Sequence, residues 1–294
     1  MSTPLIYAVV VLIWGTTWYA IKFQLGVVAP EISLVYRFGL AAICVFIYAR
    51  ATGSPLKLSL RDHRMVALQG ATLFCLNYWM TYLSTQYLTS GLVAVLFTSI
   101  IFFNIVNGRL FFRTAIERRV LLAAATGVIG VALLFLPELQ AALREPTIAH
   151  GAVLALAATY VASLGNMAAS RNTQAGLPVV TVNAYGLAYG TVGLGVIAAV
   201  RGTPIAFDPH WPYVLSLLYL SLAGTSLAFG LYLALIKRIG ASRAAYTSVL
   251  FPVVALVVST LFEGYEWSLP AIIGLVVLVA GNALALGRAG RARQ

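Results

Sequence analysis

The sequence predicts an all-α membrane protein with ten transmembrane helices, arranged as two inverted five-helix repeats around a central cavity. Three observations predict it. First, hydrophobic residues fill 61% of the 294 positions and charged residues 9%, with a mean hydropathy of +0.92; a soluble domain carries roughly 25% charged residues. Second, ten apolar runs use nearly the whole length, each about as long as the roughly 20 residues that cross a bilayer as a helix. Third, the second half is a faint copy of the first. Leu110-Phe111 returns as Leu261-Phe262, and Ala94 within 91–96 lines up with Ala245 within 242–247, a shift of about 151 residues. Five runs per copy is an odd number, so the two copies must cross the bilayer in opposite senses.

The runs are too long and too continuously apolar for barrel strands, which would span about ten residues and alternate polar with apolar. Helices also satisfy every backbone N–H and C=O internally, as hydrocarbon demands. In order, the runs cover about 5–24, 31–48, 65–85, 91–110, 120–136, 148–170, 179–200, 211–235, 241–262 and 268–286.

The first run carries Trp14 and Trp18 four residues apart. It lacks a charged leader and is too long for a cleavable signal peptide. The second holds Arg37, a basic residue well inside a span. Such a charge costs about 2.5–3.5 kcal/mol on insertion scales unless paired or wetted. Arg37 is expected to pair with Glu31 or Glu263, or to meet a ligand carboxylate. The third run aligns Asn77, Tyr78, Thr81, Tyr82 and Thr85 on one helical stripe, since residues three and four apart share a face. The fourth has Thr98 and Ser99. The fifth has Gly127 and Gly130, the seventh Gly186 and Gly190, and the tenth Gly274 and Gly281. Small residues of this kind let helices approach closely in lipid.

The sixth run repeats Thr159, Ser163, Asn166 and Ser170 at helical spacing, and the eighth repeats Ser221, Thr225, Phe229 and Tyr232. The ninth holds Tyr246, Thr247 and Ser248, then Pro252 in mid-span. Proline removes a backbone donor and clashes with the preceding turn, so a kink is expected there. Its counterpart in the first half is Ile101. The implied domains are residues 1–137, residues 147–287 and a basic tail over 288–294.

The net charge of +11 would point to nucleic acid in a soluble chain, but here it follows the loops. With the N-terminus inside, the even-numbered loops and the tail hold fifteen Lys and Arg, and the odd loops hold only Lys22, Arg144 and Arg201. This bias sets orientation and predicts that both termini are cytoplasmic. No nucleic-acid partner is expected.

Polar and aromatic groups at membrane depth should face the bundle interior or a cavity. The stripes therefore predict a chamber of aromatic walls with hydroxyl and amide handles, of the kind that holds small ligands. Asn77, Tyr78, Tyr82 and Ser163 are candidate ligand contacts on this ground. No Asp or Glu lies mid-span, which disfavours a cation–proton exchange carboxylate. There is no His-Glu-x-x-His zinc motif and no Gly-Lys-Ser/Thr phosphate loop. His63, His150 and His210 fall in loops, and Cys44 and Cys75 are each isolated. No metal, cofactor or disulfide framework is expected.

Trp14-Gly15-Thr16-Thr17, Arg37, and Phe251-Pro252 followed by Glu263 together resemble the drug/metabolite transporter superfamily of EamA type. Within it the chain is most similar to the YddG-type exporters of aromatic amino acids and related metabolites. The resemblance covers the full length and implies a ten-helix carrier of the bacterial inner membrane. It also implies Trp18, Tyr78, Tyr82, Ser99, Asn166, Phe229, Tyr246 and Ser248 as cavity-lining residues, with Pro252 and Arg37 in gating or structural roles. The first half departs from the motif, because Ile101 and Phe112 stand where the second half has Pro252 and Glu263.

The expected function is that of a secondary transporter and not an enzyme. It would act as a monomer in the lipid bilayer and move a small-molecule substrate, an aromatic or apolar amino acid, by alternating access. The alternatives are a carrier of other metabolites or drugs, nucleotide sugars included, and an intramembrane lipid-modifying enzyme. Phosphorylated cargo would call for two or more cationic side chains in the spans, and a lipid enzyme for clustered His, Asp or Glu at one membrane face.

Overall fold

The computed structural model describes residues 1–113, 118–134, 136–137, 146–239 and 247–286. All regular structure among them is helical, with no strand. α1 covers Thr3–Lys22 and α2 covers Pro30–Ala51. Both begin on a proline in the first turn, where its missing N–H costs nothing. Lys22 closes α1 and Glu31 opens α2, each at the helix end its charge favours.

α3 runs without a break through Leu60–Gln69, a wider π-helical stretch over Gly70–Leu76, and Asn77–Ser84. Ser59 caps its start by accepting from the Asp62 N–H. α4 joins Ser90–Phe97 to Ile100–Phe112. Between them the Thr98 and Ser99 hydroxyls turn back onto the carbonyls of Val95 and Leu96 at 2.7 and 2.6 Å. α5 spans Arg118–Leu134, α6 Pro146–Gln174 and α7 Val179–Val200. α8 comprises Trp211–Leu218, a second π-helical stretch over Tyr219–Leu227, and Ala228–Ile239. α9 covers Thr247–Phe262 and α10 Leu269–Leu286.

Six of these helices are long and apolar enough to cross a membrane: Thr3–Lys22, Pro30–Ala51, Ser90–Phe112, Pro146–Gln174, Val179–Val200 and Trp211–Tyr232. Shorter apolar helices lie at Ala125–Leu134, Leu250–Phe262 and Leu269–Gly281. The sequence pattern predicts plain α-helix throughout the third and eighth runs, and the two π stretches correct it. In the second, Thr225 and Ser226 donate to carbonyls five residues back, at 2.9 and 3.1 Å.

The helices pack α2 on α7, α5 on α10, α1 on α9 and α8, and α6 on α3 and α4. Glycines set the closest crossings. A Cβ on Gly130 would stand 2.6 Å from the Leu278 N, and one on Gly274 would stand 2.5 Å from the Leu134 N. Gly70 faces the Gly186 carbonyl as tightly, and Gly15 meets Val254 of α9. Gly127, expected on the same packing face as Gly130, has nothing within 4 Å of such a Cβ. It shares the face of Gly130 but lies one turn away from the crossing, where α10 does not come as close.

At the end of the bundle where α1 finishes, two carboxylates tie helices together. Glu263 accepts from the Ser90 N–H at 3.0 Å, from the Ser90 hydroxyl, and from the Ser259 hydroxyl at 2.7 Å, with Lys22 Nζ at 3.5 Å. Glu31 accepts from Arg201 Nε at 3.1 Å, Thr203 at 2.7 Å and the Trp79 indole at 3.2 Å. At the opposite end, Arg171 stands 3.6 Å from Asp62, and Tyr189 meets His63 at 2.8 Å.

Candidate functional site

A cavity of about 280 Å³ lies between helices of both halves. α1 contributes Trp14, Thr17, Trp18 and Ile21, and α2 contributes Arg37. The π stretch of α3 supplies Leu73 and Phe74, and the α-helical turn that follows supplies Asn77, Tyr78 and Thr81. Phe97, Ile100, Asn166, Phe229 and Phe251 complete the wall from α4, α6, α8 and α9. A second cavity of about 400 Å³ lies toward the C-terminal ends of α2 and α8 and the start of α7. Phe74 and Phe229 line both.

The wall is a set of rings that hold one another. Trp18 stacks on Phe251 at 6.2 Å with planes 20° apart and tilts against Phe97 at 5.4 Å. Trp14 meets Phe229 edge to face at 5.7 Å, and its indole N–H donates to the Gly224 carbonyl at 3.3 Å. That carbonyl belongs to the π stretch of α8, so the irregular backbone positions a cavity residue. Aromatic pairs in these geometries gain about 0.5–1.5 kcal/mol beyond area burial.

Arg37 supplies the formal charge of this wall. It is 2% exposed, and its Nη1 donates to the Tyr82 hydroxyl at 3.2 Å. Its guanidinium carbon lies 4.9 Å from the centre of the Tyr78 ring and 5.2 Å from that of Phe38. The expected partners are engaged elsewhere: Glu31 is held by Arg201 and Glu263 by Lys22. Among the described residues no carboxylate pairs with Arg37. This corrects the expectation of a structural ion pair, which counts residues near the right end of the bundle but not the nearer competitors.

The other candidate residues divide. Trp18, Asn77, Tyr78, Asn166 and Phe229 line the cavity. Tyr82 is fully buried and stands behind Arg37. Ser163 is fully buried in the α4–α6 contact, where it accepts from Asn107 Nδ2 at 2.9 Å. Ser99 bonds its own helix. Asn166 also donates to Asn104 Oδ1 at 3.3 Å across that contact. Tyr246 and the side chain of Ser248 lie outside the described residues. Pro252 sits inside α9, which continues through it, and the preceding Phe251 faces the cavity.

Phe74, Phe97, Leu73 and Ile100 escape the sequence pattern. A signal for Phe74 was present, because Phe74, Tyr78 and Tyr82 are spaced by four on one helix face. Apolar residues in an apolar run give no contrast for the others.

The model of the EamA-like transporter family matches this chain twice, over residues 2–136 and 149–287. A probable amino-acid metabolite efflux pump of Salmonella typhimurium is 28% identical over 282 residues, covering 92% of this chain and 90% of that protein. The inner membrane transporter YedA of Escherichia coli K12 is 28% identical over 278 residues, covering 91% and 87%. A solved crystal structure aligns with a TM-score of 0.68 over 100% of this chain and 99% of its own, at 17% identity.

Proposed function

This chain belongs to the EamA-like transporter family, and from that premise we propose that it is a secondary carrier of aromatic and apolar amino acids and similar small metabolites. The cavity carries the proposal. At about 280 Å³ it falls just below the roughly 300–1,000 Å³ usual for ligand sites, which suits small cargo. Its walls are aromatic, with one cation and a few amide and hydroxyl groups. Rings stack on a flat or apolar side chain, and the polar groups orient the other end. A single guanidinium suits a small organic ion better than a nucleotide sugar, whose two phosphates would call for more. The name of the Salmonella relative, an amino-acid metabolite efflux pump, agrees with this cargo class.

Transport would proceed by alternating access between two inverted five-helix repeats, residues 1–137 and 147–287. Three features support the duplication. The family matches each half separately. The π stretches at Gly70–Leu76 and Tyr219–Leu227 recur at nearly the repeat shift. The main packing contacts also recur on exchange of halves: α2 on α7 and α5 on α10 map onto themselves, and α1 on α9 maps onto α6 on α4. The charge bias supports both termini in the cytoplasm. The end held by Glu31 and Glu263 is then the outer face, and these two clusters would hold it closed. The chain would work as a monomer in the inner membrane, without enzymatic chemistry.

Purified protein in liposomes tests this directly. Labelled phenylalanine, tryptophan, methionine or threonine should cross faster than in empty vesicles. If none does, the amino-acid cargo is wrong.

A further inference from the structure

Three buried side-chain atoms among the described residues have no hydrogen-bond partner: Arg37 Nε, Asn77 Oδ1 and Gln24 Oε1. The first two belong to residues that line the cavity, and both residues are almost wholly buried, at 2% and 3% exposure. Gln24 lies apart, bonded to Tyr213 and Ser216. The orientation of the Asn77 amide follows from its Nδ2, which donates to the Leu73 carbonyl at 3.1 Å. A carbonyl only accepts, so the nitrogen belongs there and the oxygen is the free end.

The two orphans are complementary. Arg37 Nε is a donor on a permanent cation, and Asn77 Oδ1 is a neutral acceptor. Arginine has five N–H donors in a fixed fork that matches a carboxylate; here one reaches Tyr82 and Nε reaches nothing. Two aromatic faces soften the charge without neutralising it. Buried charges otherwise occur paired, and an ionisable group without a counter-charge in a membrane interior is a functional-site candidate by default. Neither orphan atom opens onto the cavity in this conformation, so a ligand reaches them as the two side chains turn toward it. An amide oxygen accepts from an ammonium without demanding a counter-charge. An α-amino acid presents this pair of needs at one carbon.

We propose that Arg37 and Asn77 form the subsite for the polar end of the cargo, with the Arg37 guanidinium holding its carboxylate and Asn77 Oδ1 accepting from its ammonium. The proposal rests on the carrier function above and narrows it to zwitterions and monocarboxylates. The Asn77 arm is a single neutral contact, so the carboxylate dominates recognition. An amine or amide without a carboxylate leaves the guanidinium unpaired in a dry site and binds poorly.

The test compares phenylalanine, phenylalaninamide and 3-phenylpropionate by thermal shift on the purified protein and by flux in liposomes. Phenylalanine should bind about tenfold or more tighter than its amide, because a charge-assisted bond is lost, with 3-phenylpropionate in between. In Arg37→Gln the advantage of phenylalanine over its amide disappears; in Asn77→Leu its advantage over 3-phenylpropionate disappears. If Arg37→Gln does not fold, the three ligands on the unaltered chain still decide. Amide carried as fast as phenylalanine overturns the subsite and leaves the carrier standing. Phenylalanine that shifts the unaltered chain but not Arg37→Gln, with no flux, upholds the subsite and removes the carrier. No shift and no flux with any ligand overturns both.

Discussion

Phe74 and Phe229 meet edge to face, their ring centres 6.5 Å apart and their planes at 71°, and each borders both cavities. They come from opposite halves of the chain, and each sits in or beside a π-helical stretch. The pair forms a partition between the central chamber and the larger cavity toward the C-terminal ends of α2 and α8. Helical stretches of this type are wider and less regular than α-helix and occur often at functional sites. The partition therefore stands on or beside the irregular backbone of both halves.

Removing one ring should join the two spaces. Phe229→Ala is expected to admit bulkier cargo and to lower the preference for phenylalanine over smaller amino acids. Phe74 packs more deeply, at 2% exposure, so Phe74→Ala should also lower thermal stability. The loss should stay below the about 3–5 kcal/mol of an enclosed Phe, because one side already faces a cavity. Competition assays with amino acids of increasing size check the first effect and thermal unfolding in detergent checks the second. Unaltered size selection in Phe229→Ala would mean the rings do not divide the path.

The glycine crossing of α5 and α10 gives a sharper contrast. Any side chain at Gly130 or Gly274 would meet backbone atoms of the other helix within 3 Å, and backbone cannot swing aside. Gly130→Ala and Gly274→Ala should each destabilise by about 1–3 kcal/mol, the usual range for overpacking. Gly127→Ala, with open space beside it, should be neutral or stabilising by up to about 1 kcal/mol through helix propensity. Melting curves of the three variants would separate the positions, and equal destabilisation of all three would count against this crossing.

The sequence shows the long spans well. The runs at 5–24, 31–48 and 179–200 correspond to Thr3–Lys22, Pro30–Ala51 and Val179–Val200, because hydropathy and flanking charge both change at the membrane edge. The site is less legible. A stripe such as Asn77, Tyr78, Thr81 and Tyr82 gives a direction around one helix but not the neighbour it faces. Tyr82 points at Arg37 and Ser163 at Asn107, so one member of each stripe is spent on a helix contact. The π stretches leave no trace in composition. The freedom of Arg37 depends on Arg201 and Lys22 reaching Glu31 and Glu263 first, a competition that only three dimensions resolve.

Glu263 bridges α1, α4 and α9 through Lys22, Ser90 and Ser259. If the conformation is closed to the outside by this cluster, weakening it should open that face more often. In a background of Cys44→Ala and Cys75→Ala, a Thr17→Cys probe on the cavity wall should react faster with an impermeant thiol reagent outside cells when Glu263→Ala is added. Labelling at the same rate would assign Glu263 to stability alone.

Pro252 tests whether bending of α9 sets the pace. The residue has no N–H, so the carbonyl of Ser248 lacks its usual donor, yet the helix continues from Thr247 to Phe262. The next residue back, Phe251, faces the cavity and stacks on Trp18 of α1. A bend at Pro252 would therefore carry a cavity wall with it, and the first half has no equivalent proline to share the motion. Pro252→Ala restores the donor, so the protein should melt at the same or a higher temperature. The cavity wall is unchanged in chemistry, so half-saturation for phenylalanine should hold steady. Maximal flux should fall several-fold, because a straighter α9 resists the transition between the two faces. Equal flux with higher stability would leave Pro252 as a packing feature and move the hinge to the π stretches of α3 and α8.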